Sequence, residues 1–114
     1  MNKGKIRVGV IGAGAISDIY LTNMTGMFSN CKAIYSLDLS NWNTSRVERM
    51  TNMFFGCDYA TEILVTNWDV SSAKLMDGLF QGCNALENIG RDPATFGHGD
   101  TTDMYDGCGK LFES

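Results

Sequence analysis

The strongest constraint on the fold of this chain is a short motif, read most completely as MFFGC at residues 53–57. Degraded copies occupy residues 27–31, 79–83 and 104–108. The cysteines that close these motifs recur with a nearly constant period of about 26 residues. A period of this size, held over most of a chain, is typical of repeat architectures, in which each unit buries its apolar face only against its neighbours.

The same register holds at positions outside the motif. Trp42 and Trp68 are separated by one such period, and an asparagine precedes each of them. Two further apolar columns are formed by Met24, Met50 and Met76, and by Leu37, Ile63 and Ile89. The sequence therefore predicts one structural unit repeated along the chain, with these columns in its core.

Local patterns within one unit predict a helix followed by a strand. Ser45 and Glu48 form a capping-box pattern, and apolar residues then follow at helical spacing up to Gly56. Glycine is the residue that most readily adopts the left-handed conformation at the end of a helix. Helices are therefore predicted at residues 45–55 and 72–81.

Strands are predicted at residues 5–11, 34–39 and 61–66, all parallel. The fold class expected from these elements is α/β: a short right-handed helix–strand repeat solenoid, leucine-rich-repeat-like, capped by an N-terminal Rossmann-like βα unit. Residues 1–22 would form the cap, and residues 23–114 would form about three and a half 26-residue repeats. The whole would fold as a single unit.

Composition narrows the classes of function. The 114 residues are 44% hydrophobic with a single proline, which is typical of a globular chain. A net charge of −4, with no basic cluster after Arg7, argues against nucleic-acid binding. No apolar run approaches the length of a membrane span. The glycines after Arg7 make a poor secretory signal, so the predicted location is cytoplasmic.

A dinucleotide-binding pattern follows the first predicted strand. Gly12 would make the tight turn, Gly14 would allow the backbone to approach a pyrophosphate, and Ser17 holds the third small position. Asp38 follows Gly14 at the separation expected for an acid that binds the adenosine ribose. These four residues are the candidate NAD or NADP site. Asp38 has an alternative role as a solvent-facing strand residue.

Residues 5–38, and above all IGAGAISDIY at residues 11–20, resemble the amino terminus of the Gfo/Idh/MocA-family oxidoreductases. The resemblance implies a nicotinamide cofactor over Gly12, Gly14 and Ser17, with Asp38 on the ribose. That family also carries a lysine in a Glu-Lys-Pro motif, which does not occur in this chain. No catalytic residue is therefore predicted, and the chain is not expected to be an enzyme.

A second resemblance covers more of the chain, from about residue 23 onward. NWNTS at residues 41–45 precedes MTNMFFGC, and NWDVS at residues 67–71 precedes MDGLFQGC. These motifs resemble the BspA-like repeats, also described as mycoplasma-type lipoprotein repeats. The resemblance implies a leucine-rich-repeat-like solenoid used for surface display and binding. Residues 90–100 lose the Asn-Trp element and are predicted to form a loop, and the chain as a whole is interpreted as a chimaera.

The cysteines, the histidine and the tryptophans leave alternatives open. The cysteine column could consist of buried free thiols, of disulfides between neighbouring units, or of metal ligands; its members are Cys31, Cys57, Cys83 and Cys108. His98, in a glycine-rich segment, is expected to be a solvated loop residue rather than a catalytic base. Trp42 and Trp68 would stack inside the array or, alternatively, present exposed indoles for binding.

Three classes of function remain. The favoured class is a non-enzymatic repeat module for protein–protein interaction or surface binding, with another protein as partner and without a cofactor. The alternative is an NAD(P)-binding fragment of a Gfo/Idh/MocA-type oxidoreductase. A redox or metal role for the cysteine column is the third.

Overall fold

The computed structural model describes Lys5–Ile6 and residues 22–112 of the chain. Three short strands, β1 at Lys5–Ile6, β2 at Ser36–Asp38 and β3 at Glu62–Leu64, form one sheet in that order. Both pairings are parallel, and Leu37 lies opposite Ile63. The parallel pairing predicted between the second and third strand regions is confirmed, although β2 and β3 have only three residues each.

The predicted helices are wrong. Residues 45–55 and 72–81 contain successive turns, and the only helical element among the described residues is a single 3₁₀ turn at Gly109–Phe112. The helix–strand solenoid of the leucine-rich-repeat type is therefore not the fold of this chain. Each unit instead carries an eight-residue turn segment; the four turn segments comprise residues 24–31, 50–57, 76–83 and 101–108.

The backbone explains why no α-helix forms in the turn segments. Each of them contains two residues with positive φ, four positions apart. The first of these positions has φ between 54° and 65° and the second between 59° and 85°; they are occupied by Gly26, Asn52, Gly78 and Asp103, and by Asn30, Gly56, Gly82 and Gly107. A right-handed helix cannot pass through left-handed residues, and glycine, asparagine and aspartate are the residues that tolerate them best.

The amides of the turn segments are shared between two kinds of hydrogen bond. Every second N–H group donates to the carbonyl three residues earlier in the chain, as Met53 does to Met50 and Cys57 does to Phe54. The intervening N–H groups donate to carbonyls of the next turn segment along the chain and of the residue just before it. At each of the three junctions four such bonds form, with N–O distances between 2.6 and 3.0 Å. Backbone hydrogen bonds thus hold neighbouring units together. In the predicted helices, the same N–H groups would have donated to carbonyls of their own unit.

The predicted Rossmann-like cap is also wrong. In a dinucleotide-binding unit, parallel strands are joined through a crossover helix. Here the described part of the connection from β1 to β2, residues 22–35, contains the turn segment at residues 24–31 and no helix. β1 does pair beside β2, but the turn predicted at residues 12–17 lies outside the described residues. The boundary between a cap and the repeats stays a prediction.

The core lies between the turn segments and the strands and is built from the predicted columns. Met50, Met53, Leu37 and Ile63 are fully buried, as expected from their recurrence. Aromatic rings form a second column, in which Phe28, Phe54, Phe80 and Tyr105 stack with centroids 5.6, 5.3 and 5.7 Å apart. The planes of neighbouring rings are within 8° of parallel, so the stack runs through all four turn segments.

The tryptophans pack beside this aromatic column. Trp42 lies 6.0 Å from the Phe28 ring and Trp68 lies 6.2 Å from the Phe54 ring, and both indoles are buried. The prediction that they lie inside the array is confirmed, although their rings are tilted by 41° and 32° against the phenylalanine rings and are not stacked on them. In the third unit, where the Asn-Trp element is missing, Phe96 takes the same place at 6.5 Å from Phe80. Residues 90–100 therefore supply a core residue, which the loop prediction did not anticipate.

The two tryptophans differ in one hydrogen bond, which leads to a first prediction. Trp68 Nε1 donates to the Leu39 carbonyl at 2.8 Å, whereas the buried Trp42 Nε1 has no hydrogen-bond partner within the described chain. Trp68→Phe should lower the free energy of unfolding by about 1 kcal/mol more than Trp42→Phe, since only the former loses a made bond. Urea unfolding of both variants measures the difference, and equal losses would contradict the prediction.

Candidate functional site

Of the four residues of the predicted cofactor site, only Asp38 lies within the described part of the chain, so the site itself stays a prediction. Gly12, Gly14 and Ser17 lie outside the described residues. Asp38 is exposed at the end of β2, where its carboxylate accepts hydrogen bonds from the Ser40 amide at 3.0 Å and the Ser40 hydroxyl at 2.6 Å. This local turn places Asp38 as the alternative interpretation expected, facing solvent.

The cysteines form a column of free thiols along the turn segments. Three of them are buried, and each donates a hydrogen bond to the carbonyl of an aromatic-column residue in the preceding turn segment. The Sγ–O distances are 3.1 Å from Cys57 to Phe28, 3.1 Å from Cys83 to Phe54 and 3.0 Å from Cys108 to Phe80. The interpretation as buried free thiols is confirmed for Cys57, Cys83 and Cys108, which act as small core residues that also satisfy backbone carbonyls.

The environment of the column makes the thiols poor nucleophiles. Hydrogen bonding to the Cys108 and Cys57 thiols, together with burial, raises the pKa of Cys83. Burial, and then the neighbouring Cys57, raises the pKa of the half-buried Cys31. Because the thiolate is the reactive form, Cys31 and Cys83 stay protonated at neutral pH. The hydrogen bond with Cys83 lowers the pKa of Cys57 and of Cys108 against the effect of burial, but both thiols are enclosed in the core.

Access should therefore decide which cysteine is alkylated. In the folded protein, Cys31 should react with iodoacetamide well before Cys57, Cys83 and Cys108, which should react only when the chain unfolds. Mass spectrometry of peptides from protein quenched at successive times measures the order. A Cys31→Ser variant, as control, should show no fast phase, and labelling of Cys83 as rapid as that of Cys31 would contradict the buried column.

His98 is exposed, as predicted for a loop histidine. Its Nδ1 lies 2.7 Å from the Ala73 carbonyl, so this nitrogen carries the proton and donates. The ring thus fastens the segment after Phe96 to the preceding unit. Among the described residues no group of three or more histidine, cysteine or acidic side chains is placed to hold a metal ion.

One concave surface of the described chain is a cleft of about 700 Å³ beside the fourth turn segment. We call it the terminal cleft. Its lining residues are Pro93, Ala94, Thr95, Phe96, Gly97, Thr101, Asp103, Met104, Tyr105, Asp106 and Phe112. The size is that of a site for a small molecule or for a few residues of a peptide.

Tyr105 organises the floor of the terminal cleft. It is the last ring of the aromatic column, and its hydroxyl donates to the Pro93 carbonyl at 2.9 Å. Phe112, which is 53% exposed, meets the Tyr105 ring edge-on at 5.3 Å. Burial, with the neighbouring Cys108, raises the pKa of Tyr105, so the phenol stays neutral and serves as a donor and an apolar surface.

Beside the cleft, the fourth turn segment carries a row of unpaired amides. The N–H groups of Thr101, Asp103, Tyr105 and Gly107 make no hydrogen bond to any described residue. They occupy the positions whose N–H groups pair with the next turn segment at all three junctions inside the array. We call these four groups the donor edge. Such a row of unpaired amides is a template for another chain, as at the edge of a β-sheet.

Acidic side chains surround the donor edge. Asp103 and Asp106 line the cleft, and Asp100 lies just before it. Hydrogen bonds from the Thr102 hydroxyl and amide lower the pKa of Asp100, which is therefore ionised at neutral pH. The cleft thus offers backbone donors, an aromatic floor and an acidic rim. This arrangement can bind a chain through its carbonyls, and among the described lining residues there is no nucleophile paired with a base.

The sequence-based reasoning missed both the donor edge and the left-handed turns that create it. A signal was present: one column reads Gly26, Asn52, Gly78, Asp103, all of them residues that tolerate positive φ. Helix propensity is low at such positions. Periodic apolar spacing, which is shared by helices and by these turns, outweighed that signal.

Residues 18–111 match the model of a protein family described as "Mycoplasma protein of unknown function, DUF285". The chain belongs to this family. The mycoplasma part of the resemblance seen in the sequence is thereby confirmed, whereas neither a BspA-like repeat nor an oxidoreductase segment is supported by any match. No curated protein and no solved structure matches this DUF285 chain. Within the described part of the chain there is no helix long and apolar enough to cross a membrane.

Proposed function

We propose that this DUF285 chain is a non-enzymatic module that binds another protein, and that the terminal cleft with its donor edge is the binding site. The single observation that supports this most directly is the row of four unpaired amides next to an aromatic cleft. Main-chain hydrogen bonds to such an edge supply affinity, and pockets beside it supply specificity.

The chemistry of the described residues supports a binding role over catalysis. Three of the four thiols are enclosed in the core, Tyr105 is held neutral because burial raises its pKa, and the His98 ring is engaged by a backbone carbonyl. A reducing compartment is where free thiols such as these persist. The cytoplasmic location expected from the sequence is in keeping with that and stays a prediction.

Peptides displayed on phage, selected against the folded chain, test the proposal. We expect selected peptides to bind the parent and to lose affinity by about tenfold on the variant Thr101→Pro, which removes one donor and adds bulk at the edge. Tyr59→Ala, a change at an exposed side chain outside the cleft, is the matched control and should leave binding unchanged. Binding that is insensitive to Thr101→Pro would contradict the assignment of the site.

A titration with NAD(H) and NADP(H) tests the absence of a cofactor function. With Asp38 engaged by Ser40, we expect no binding tighter than about millimolar, because few phosphate contacts would offset the cost of ordering the ligand. Isothermal titration calorimetry measures the affinity, with Gly12→Val and Asp38→Ala as variants. Micromolar binding that Gly12→Val abolishes would overturn the binding-module proposal in favour of the oxidoreductase fragment.

A further inference from the structure

We propose that the donor edge accepts the first turn segment of a second copy of this chain, so that the protein associates head to tail. The proposal rests on the binding function above and deepens it by naming the partner. Three observations support it: a matching row of acceptors, a difference in burial between equivalent residues, and the polarity of the two ends.

The first turn segment, together with Asn23 just before it, carries a row of acceptors that matches the donor edge. The carbonyls of Asn23, Thr25, Met27 and Ser29 accept no hydrogen bond from any described residue. They are equivalent to the carbonyls at residues 49, 51, 53 and 55, which accept the four bonds of the first junction. We call them the acceptor edge. One chain therefore presents both halves of a junction that it already forms three times internally.

Met27, on the acceptor edge, is less buried than the equivalent residues of the other turn segments. Met27 is 40% exposed, whereas its equivalents Met53, Leu79 and Met104 are at most 3% exposed. Met104 lies in the last turn segment and is buried although no described turn segment follows it. The side chain at this position is therefore buried by the preceding turn segment. Within the described chain, no turn segment precedes that of Met27.

The cysteine column shows the same asymmetry. Cys108, in the last turn segment, is 1% exposed, whereas Cys31, in the first, is only half-buried. A fourth turn segment from another copy, placed before the first, would cover Met27 and Cys31 as the first turn segment covers Met53 and Cys57. It would bring its Tyr105 ring to the Phe28 end of the aromatic column, where no ring of a described residue precedes Phe28.

The polarity of the two ends fixes the mode of association. Two donor edges cannot pair with each other, and their acidic residues, among them Asp103 and Asp106, would repel. A donor edge pairs only with an acceptor edge, so the contact is heterologous. Heterologous contacts close into rings or grow as open chains, and assembly should therefore increase with concentration.

Two variants, each blocked at one edge, test the proposal by analytical ultracentrifugation. Met27→Glu places a charge where docking would bury it, at a position that is exposed in the single chain. Thr101→Pro removes a donor that is unpaired in the single chain, at an exposed residue whose φ is not positive. Thr101→Trp blocks the same edge by bulk if the proline variant does not fold. Tyr59→Glu is the control for added charge on an exposed side chain that belongs to neither edge.

The parent and Tyr59→Glu should gain mass as concentration rises from the low to the high micromolar range. Met27→Glu and Thr101→Pro should each associate at least about tenfold more weakly, since an unpaired charge or a lost bond weakens the junction. When the two blocked variants are mixed, one intact donor edge meets one intact acceptor edge, and a 1:1 dimer that grows no further should form.

A parent that stays monomeric, a blocked variant that associates as the parent does, or a mixture without dimer would each overturn the proposal. These outcomes are distinct from failure of the proposed function. A monomeric parent whose selected peptides are still lost on Thr101→Pro would retain the binding site and exclude the second copy as its occupant.

Discussion

Phe80→Ala should lower the free energy of unfolding by about 3–5 kcal/mol, the range for truncating a buried phenylalanine. The Phe80 ring is fully buried and lies within the aromatic column, stacked on Phe54 at 5.3 Å and on Tyr105 at 5.7 Å. Phe96 packs against it from the side at 6.5 Å. Removing the ring leaves a cavity that none of these neighbours can fill without leaving its own place in the column.

Denaturant unfolding, followed by tryptophan fluorescence, measures the loss. Tyr59→Ala is the matched control, because Tyr59 is 54% exposed and its nearest aromatic neighbour is the exposed Tyr35. It should change stability by less than about 1 kcal/mol, as surface substitutions usually do. A loss for Phe80→Ala no larger than that of the control would show that the aromatic column does not hold the units together.

Gly99→Ala should lower the free energy of unfolding by about 2–4 kcal/mol, through left-handed strain and a backbone clash together. Gly99 has φ of 71°, and a Cβ added there would lie 2.5 Å from the Lys74 carbonyl oxygen and 2.8 Å from that of Ala73. Both oxygens are main-chain atoms, so the clash can be removed only if the backbone around Gly99 or around Ala73 and Lys74 moves.

That movement would break contacts that join the last two units. The Asp100 amide donates to the Lys74 carbonyl at 2.9 Å, and the His98 ring donates to the Ala73 carbonyl at 2.7 Å. Gly109→Ala is the control, because an added Cβ there meets nothing within 4 Å and its φ is not in the left-handed region. It should cost nothing measurable. Equal stability of the two alanine variants in thermal unfolding would contradict the close approach at Gly99.

The head-to-tail proposal connects these stability effects to binding. The same backbone pairing joins units within the chain and would join one copy to the next. A variant such as Gly99→Ala, which disturbs the last internal junction, should therefore also disturb the donor edge that follows it. Met27→Glu acts at the acceptor edge and should leave the internal junctions intact.

The sequence by itself determined the period, the core and the strand pairing. Residues such as Met53, Ile63 and Trp68 recur in column because each unit buries the same positions against its neighbours, and burial is visible as periodic apolar character. Parallel strands follow from the same fact, since equivalent residues of successive units lie side by side and run in one direction. Phe96 was missed because it reaches the tryptophan site from a different position in its unit.

Only the tertiary structure decided the conformation of the segments between the strands. Their apolar spacing suits a helix, yet alternate amides donate to carbonyls of the next unit, as Phe54 does to Leu79, instead of to the carbonyl four positions back. Those partners exist only once the units have stacked. Left-handed residues at Asn52 and Gly56 then turn alternate amides toward the neighbouring unit, and a bond between distant residues replaces the local one. The donor and acceptor edges, whose groups have no partner among the described residues, follow from this choice, because helices would have satisfied the same amides within each unit.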